Sequence, residues 1–149
     1  MLARTAAIVQ HPRPRVAGPA VLVTIAASGA GRRGRYRVEA AGHCGECHTP
    51  RNLGDAMDPE RWRAGGPAAE TTGAGTGRVP NISTGAGGIG AWSASEIAFY
   101  LETGFRPDFD VVGGAMSAVQ RDMAMLAPEE RQAIAAYLKA VPPRDSDDG

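Results

Sequence analysis

The stretch HCGECHTPRN, His43 to Asn52, holds both cysteines of the chain and two of its three histidines. On a helical turn, residues at i, i+3 and i+4 share one face, so Cys44, Cys47 and His48 should project together. Thr49-Pro50 should end that turn, because the residue before a proline is pushed out of helical conformation. Two cysteines in a chain of 149 residues do not make a disulfide framework. Set so close together, they pose a local question: metal, redox dithiol or cofactor attachment.

Two thiols on one turn can bond the two vinyl groups of a haem, and the imidazole beside them can reach the iron. This is the C-x-x-C-H pattern of c-type attachment. It assigns Cys44 and Cys47 to the thioether positions and His48 to the proximal ligand position. The rival chemistries ask for more. A tetrahedral zinc site wants four ligands, yet there is no second C-x-x-C or H-x-x-x-H pair, and the remaining histidine, His11, lies in the leader. A thioredoxin-like dithiol would follow a strand in a βαβ setting, whereas the flanking pattern here reads as helical. His43 leaves the turn in another direction and reads as an exposed or loop-bonded histidine.

Working outward, a first helix is expected from Arg32 to about Cys47, with Tyr36, Ala40 and Cys44 along one side. Gly34 and Gly42 weaken it. The middle, from Gly54 to Trp92, is so rich in Gly and Pro that no run of regular elements is expected. A connection of that length in a compact domain is usually functional or disordered, and here it reads as a loop wrapped around something rigid. Order returns at Ser93, where SASE forms a capping box with Glu96. Ile97, Tyr100 and Leu101 follow as an apolar stripe, and Gly104 is placed to end the helix in a left-handed turn. A short helix is expected after Met116. The last begins at Pro128, with Glu129 and Glu130 at the favourable end of its dipole, and turns Ile134, Tyr137, Leu138 and Val141 inward.

Composition narrows the field. Net charge is zero, 16 basic against 16 acidic residues, which argues against a nucleic-acid footprint. Aromatics are only 5% and glycines number 20, a thin supply of core that a covalently held apolar group would supplement. Residues 1–30 read as leader, signal peptide or linker, with a weakly basic start, a small apolar stretch and a cleavable Ser28-Gly29-Ala30. No run approaches the roughly twenty apolar residues of a membrane span. Residues 31–143 form the expected domain, and 144–149 read as a disordered charged tail.

A proximal histidine leaves the other side of the iron to be filled, and electron-transfer haems commonly use methionine there. Met57 lies too near His48 in sequence to cross comfortably to the opposite face. Met116 follows Gly113-Gly114, which let the backbone approach a flat ring. It is the preferred distal ligand, with Met123 and Met125 as alternatives that more often fill core.

Taken together, RGRYRVEAAGHCGECHTPRN, VPNIST, GIGAWSASEIAFYLETGFRPDFDVVGGAM and LAPEERQAIAAYLKAVPP resemble class I-like c-type cytochromes. They are especially similar to the haem domains of cytochrome subunits serving bacterial membrane-bound alcohol, gluconate and related dehydrogenases. The likeness runs from about Arg33 to Pro143. It implies Cys44 and Cys47 as thioether sites, His48 and Met116 as iron ligands, and a carbonyl near Pro80, that of Pro80 itself, accepting the His48 Nδ1 proton. It also offers Arg51 or Trp92 as propionate contacts, beside their plainer readings as a surface arginine and a packed tryptophan. Arg37 departs from the family, which usually carries an apolar residue there; its charge is tolerable only with the stem along the surface.

The expected fold is therefore all-α: three to five helices with long Gly/Pro-rich loops around one covalent haem c. The expected function is one-electron transfer between an exported dehydrogenase and a respiratory acceptor, an electron carrier rather than an enzyme. Its partner would be a dehydrogenase subunit or another cytochrome, with no nucleic acid, and its location periplasmic or peripheral on the outer face of the membrane. The alternatives are a peroxidase or small-ligand site with an open distal position, and a zinc-binding non-redox module.

Overall fold

The computed structural model describes residues 28–72 and 75–146. These form five α-helices and one two-stranded ribbon, the small all-α architecture expected. The first helix, α1 (Gly29–Tyr36), is capped by Ser28, whose Oγ accepts from Gly31 N at 2.9 Å. Ser28 to Ala30, read as the end of a leader, stand at the start of this helix; residues 1–27 lie outside the described residues. The expected single helix to Cys47 is not continuous. It loosens into a π-helical turn at Arg37–Ala41, stops at Gly42 and restarts as α2 (Cys44–His48). Tyr36 is 60% exposed and Val38 fills the core in its place.

The Gly/Pro-rich middle holds a ribbon that the sequence concealed. Strands β1 (Gly66–Thr72) and β2 (Gly75–Val79) pair antiparallel, Gly66 opposite Val79, with an irregularity between Pro67 and Thr71. Beyond it, α3 (Ala94–Thr103) begins at a complete capping box: Ser93 N donates to Glu96 Oε2 at 2.6 Å and Glu96 N to Ser93 Oγ at 3.2 Å. Ser93→Ala should lower the unfolding free energy by about 1 kcal/mol, the usual worth of such a cap, measured as a shift in urea midpoint; an unshifted midpoint would show the cap to be idle. Gly104 ends α3 at φ 79. Helices α4 (Met116–Ala124) and α5 (Pro128–Lys139) complete the chain, α5 with proline in its first turn.

The core is Val38, Ile97, Leu101, Ile134, Ala135, Tyr137, Leu138 and Val141, where α1 and α3 pack on α5. Helices α1 and α5 cross at Gly34: a Cβ there would lie 2.0 Å from Ala133 O. Arg37 spans the same crossing, its Nε 2.7 Å from Glu130 Oε2, which accommodates the charge at that position. The expected tail is also partly structured. Arg144 N donates to Ser83 Oγ, Asn81 Nδ2 and Ser83 Oγ donate to Arg144 O, and Ser146 Oγ donates to Ala64 O. Residues 144–146 therefore strap the loop that carries Pro80, because that loop offers polar groups near the end of α5.

Candidate cofactor site

Helix α2 is set apart from α1 by His43, whose φ of 33° is left-handed and strained for a non-glycine residue. That turn re-aims the chain so that CGECH begins a fresh helical turn. Gly45 sits against Trp62, where a Cβ would be 2.6 Å from the indole Cζ2. Cys44 is half-buried, Cys47 is exposed, and both are free thiols. Burial pushes the Cys44 thiol above its ordinary pKa, and the Arg63 charge opposes that rise.

His48 is 8% exposed, with Nδ1 2.8 Å from Pro80 O. A carbonyl only accepts, so Nδ1 carries the proton and Nε2 keeps its lone pair. Burial holds the ring's pKa below the ordinary histidine value despite the Pro80 bond, and the Arg63 charge lowers it further. The ring is thus neutral near pH 7, with one nitrogen fixed and the other free to bind a metal.

Met116 is the first residue of α4 and half-buried, directly after Ala115 and the Gly113-Gly114 pair. A Cβ on either glycine would meet nothing within 4 Å, so the backbone borders open space there. Met123 packs against the core, Met125 is 85% exposed, and Met57 lies in a short bridge with Arg51. Arg51 donates to Asp55 O, and Trp92 packs edge-on against Tyr100 with ring centroids 5.7 Å apart. His43 is exposed, with Nδ1 3.5 Å from Glu46.

These residues fit a covalent haem. Two free thiols stand one turn apart, a neutral imidazole offers a lone pair beside them, and a thioether follows a glycine pair with room before it. Zinc fits poorly: among the described residues, no three His, Cys, Asp or Glu side chains gather as a metal would require.

Two residues beside the site went unnoticed in the sequence. Trp62 covers the back of α2, and Arg63 is wholly buried. RWR within a polar, glycine-rich stretch reads as surface, and no local pattern marks a buried arginine.

No protein-family model matches the chain. Curated relatives do. A diheme cytochrome c-type protein of Cereibacter sphaeroides is 54% identical over 110 residues, 74% of this chain and 35% of that protein. The fructose dehydrogenase cytochrome subunit of Gluconobacter japonicus is 37% identical over 111 residues, 74% of this chain and 22% of its own length. The gluconate 2-dehydrogenase cytochrome c subunit of Pantoea cypripedii is 32% identical over 121 residues, 76% of this chain and 26% of its own. The chain thus spans about a third or less of these relatives.

Proposed function

For this relative of the c-type cytochromes, similar to the haem domains of dehydrogenase cytochrome subunits, we propose one-electron transfer through a single covalently held haem c. The two cysteines of this chain support one doubly attached ring. Each thiol would add its S–H across a vinyl C=C, sulfur to one carbon and hydrogen to the other, with no oxidant consumed. When bound, the haem supplies an iron that gains or loses one electron.

The chain's own residues prepare that exchange. His48 would hold the iron through Nε2, Pro80 O keeps its ring in the required tautomer, and Met116 would offer a thioether sulfur as the second ligand. Cys44 and Cys47 would hold the ring through two thioether bonds, and Cys47 is exposed to solvent. The observation that carries the reading is the 2.8 Å His48 Nδ1–Pro80 O bond beside two free thiols on the same turn. The donor and acceptor are proposed to be a dehydrogenase subunit and a respiratory cytochrome, met through a small transient interface. The protein would work in the periplasm or on the outer face of the membrane. No helix of the described residues is long and apolar enough to cross a bilayer.

The test is expression in a host able to attach haem, followed by intact mass and an optical redox titration. A mass equal to polypeptide plus one haem, with one-electron behaviour, is expected; a colourless protein of polypeptide mass would end the reading. Met116→Ala should abolish the sulfur–iron absorption band and lower the reduction potential. An unchanged band would move the assignment to Met123 or Met125. Loss of the band in neither protein, because it was never present, would favour an open site for small ligands.

A further inference from the structure

A charged group lies behind the attachment turn with no role in the scheme above. Arg63 is 0% exposed, and its φ of 68° is left-handed, a costly conformation for a residue with a side chain. Hydrogen bonds knit it to both sides of His48. Arg63 N donates to Thr49 Oγ1 at 3.1 Å, next to His48, and Ile82 N donates to Arg63 O at 3.0 Å, just past Pro80. Gly65 N closes the turn onto His48 O at 2.9 Å.

Among the described residues, only one nitrogen of the guanidinium finds an acceptor. Its Nη2 pairs with Glu39, which also accepts from Tyr137 Oη. Nε and Nη1 have no acceptor among the described residues. The Trp62 and Tyr137 rings stand 5.7 and 5.8 Å from the guanidinium carbon and exclude water from it. A charge in such low-dielectric surroundings acts over longer range than one in water. It lies against the site, since its own backbone bonds Thr49 and Ile82, the neighbours of His48 and of the Pro80-bearing loop.

We propose that Arg63 is a positioning charge for the haem's redox balance: it holds the reduction potential high by opposing the extra positive charge of the oxidised iron, and Glu39 tempers it. The proposal rests on the haem reading above. Reduction brings one electron from the redox partner and removes one unit of positive charge from the site, so a nearby fixed cation favours the reduced state and a nearby anion the oxidised one.

The experiment is an optical potentiometric titration of the haem-loaded protein and its variants. Arg63→Met should lower the potential, Glu39→Gln should raise it, the double variant should lie between, and Arg63→Lys should stay nearer the parent than Arg63→Met. Opposite signs from two partners of one ion pair are not what loosened packing produces, since loosening admits water in both cases. Shifts of the same sign, or no shift in either variant with the native absorption spectrum intact, would overturn the proposal alone. If Arg63→Met does not fold, the sign of the Glu39→Gln shift decides. A parent chain that takes up no haem overturns the underlying reading and this proposal with it.

Discussion

With Cys44 and Cys47 both changed to alanine, the chain will leave a haem-stained denaturing gel blank where the parent chain stains. The loss should be complete, because no other cysteine exists to hold the ring through unfolding. His48 and its bond to Pro80 O remain in this variant, so any pigment held by the folded protein is held reversibly, and denaturation will release it. Each single variant keeps one possible thioether and should stain at reduced yield. Cys44, half-buried behind the turn, is the more demanding position, and Cys44→Ala should cost more of the yield than loss of the exposed Cys47. A band of undiminished intensity in the double variant would place the covalent link elsewhere and undo the assignment of both thiols.

The second large effect concerns packing. Gly34→Ala introduces a methyl group 2.0 Å from Ala133 O, 2.7 Å from Ala133 C and 2.8 Å from Tyr137 Cβ. Two of those atoms are helix backbone and cannot rotate aside, so α1 must lift from α5. Alanine in place of a helical glycine gains about 1 kcal/mol. Overpacking of this kind costs about 1–3 kcal/mol and sometimes more, and an overlap this deep belongs at the upper end. A net loss of roughly 2 kcal/mol is expected by that comparison, a large share of the ~5–15 kcal/mol that holds a domain together. It should appear as a lower urea midpoint with little change in slope. A midpoint at or above that of the parent would mean that the helices do not cross there.

The same glycine illustrates what sequence alone could reveal. Read locally, Gly34 is a weak point in a helix; only the position of α5 makes it a contact surface. Features decided within a few residues were legible: the Ser93–Glu96 box, the left-handed Gly104 and the proline opening α5 all follow from neighbouring side chains. The inward set Ile134, Tyr137, Leu138 and Val141 was legible too, because helical period and burial coincide there. The ribbon was not. Its strands, GPAAETT and GTGRV, are rich in Gly and Ala and carry no large apolar residue but Val79, and each is specified by its partner. The π-helical turn before Gly42 was hidden for the opposite reason, since the sequence there is an ordinary helix former. Residues 144–146 looked like a solvated charged tail, yet their backbone and short hydroxyl groups do the bonding. Within the site, the turn at Cys44–His48 announces itself by residue type. Arg63 does not, because its burial depends on Glu39 and Tyr137, brought together from opposite ends of the domain.

Those long-range partners also govern how the molecule can come together. Glu130 and Arg37 are 93 positions apart, and Tyr137 and Glu39 are 98 apart. Contacts between positions this distant bear a large loop-closure entropy. A polypeptide leaving the ribosome from its amino end cannot shut its core until the final helix has emerged. Throughout that interval Cys44, half-buried in the finished fold, stands open to solvent.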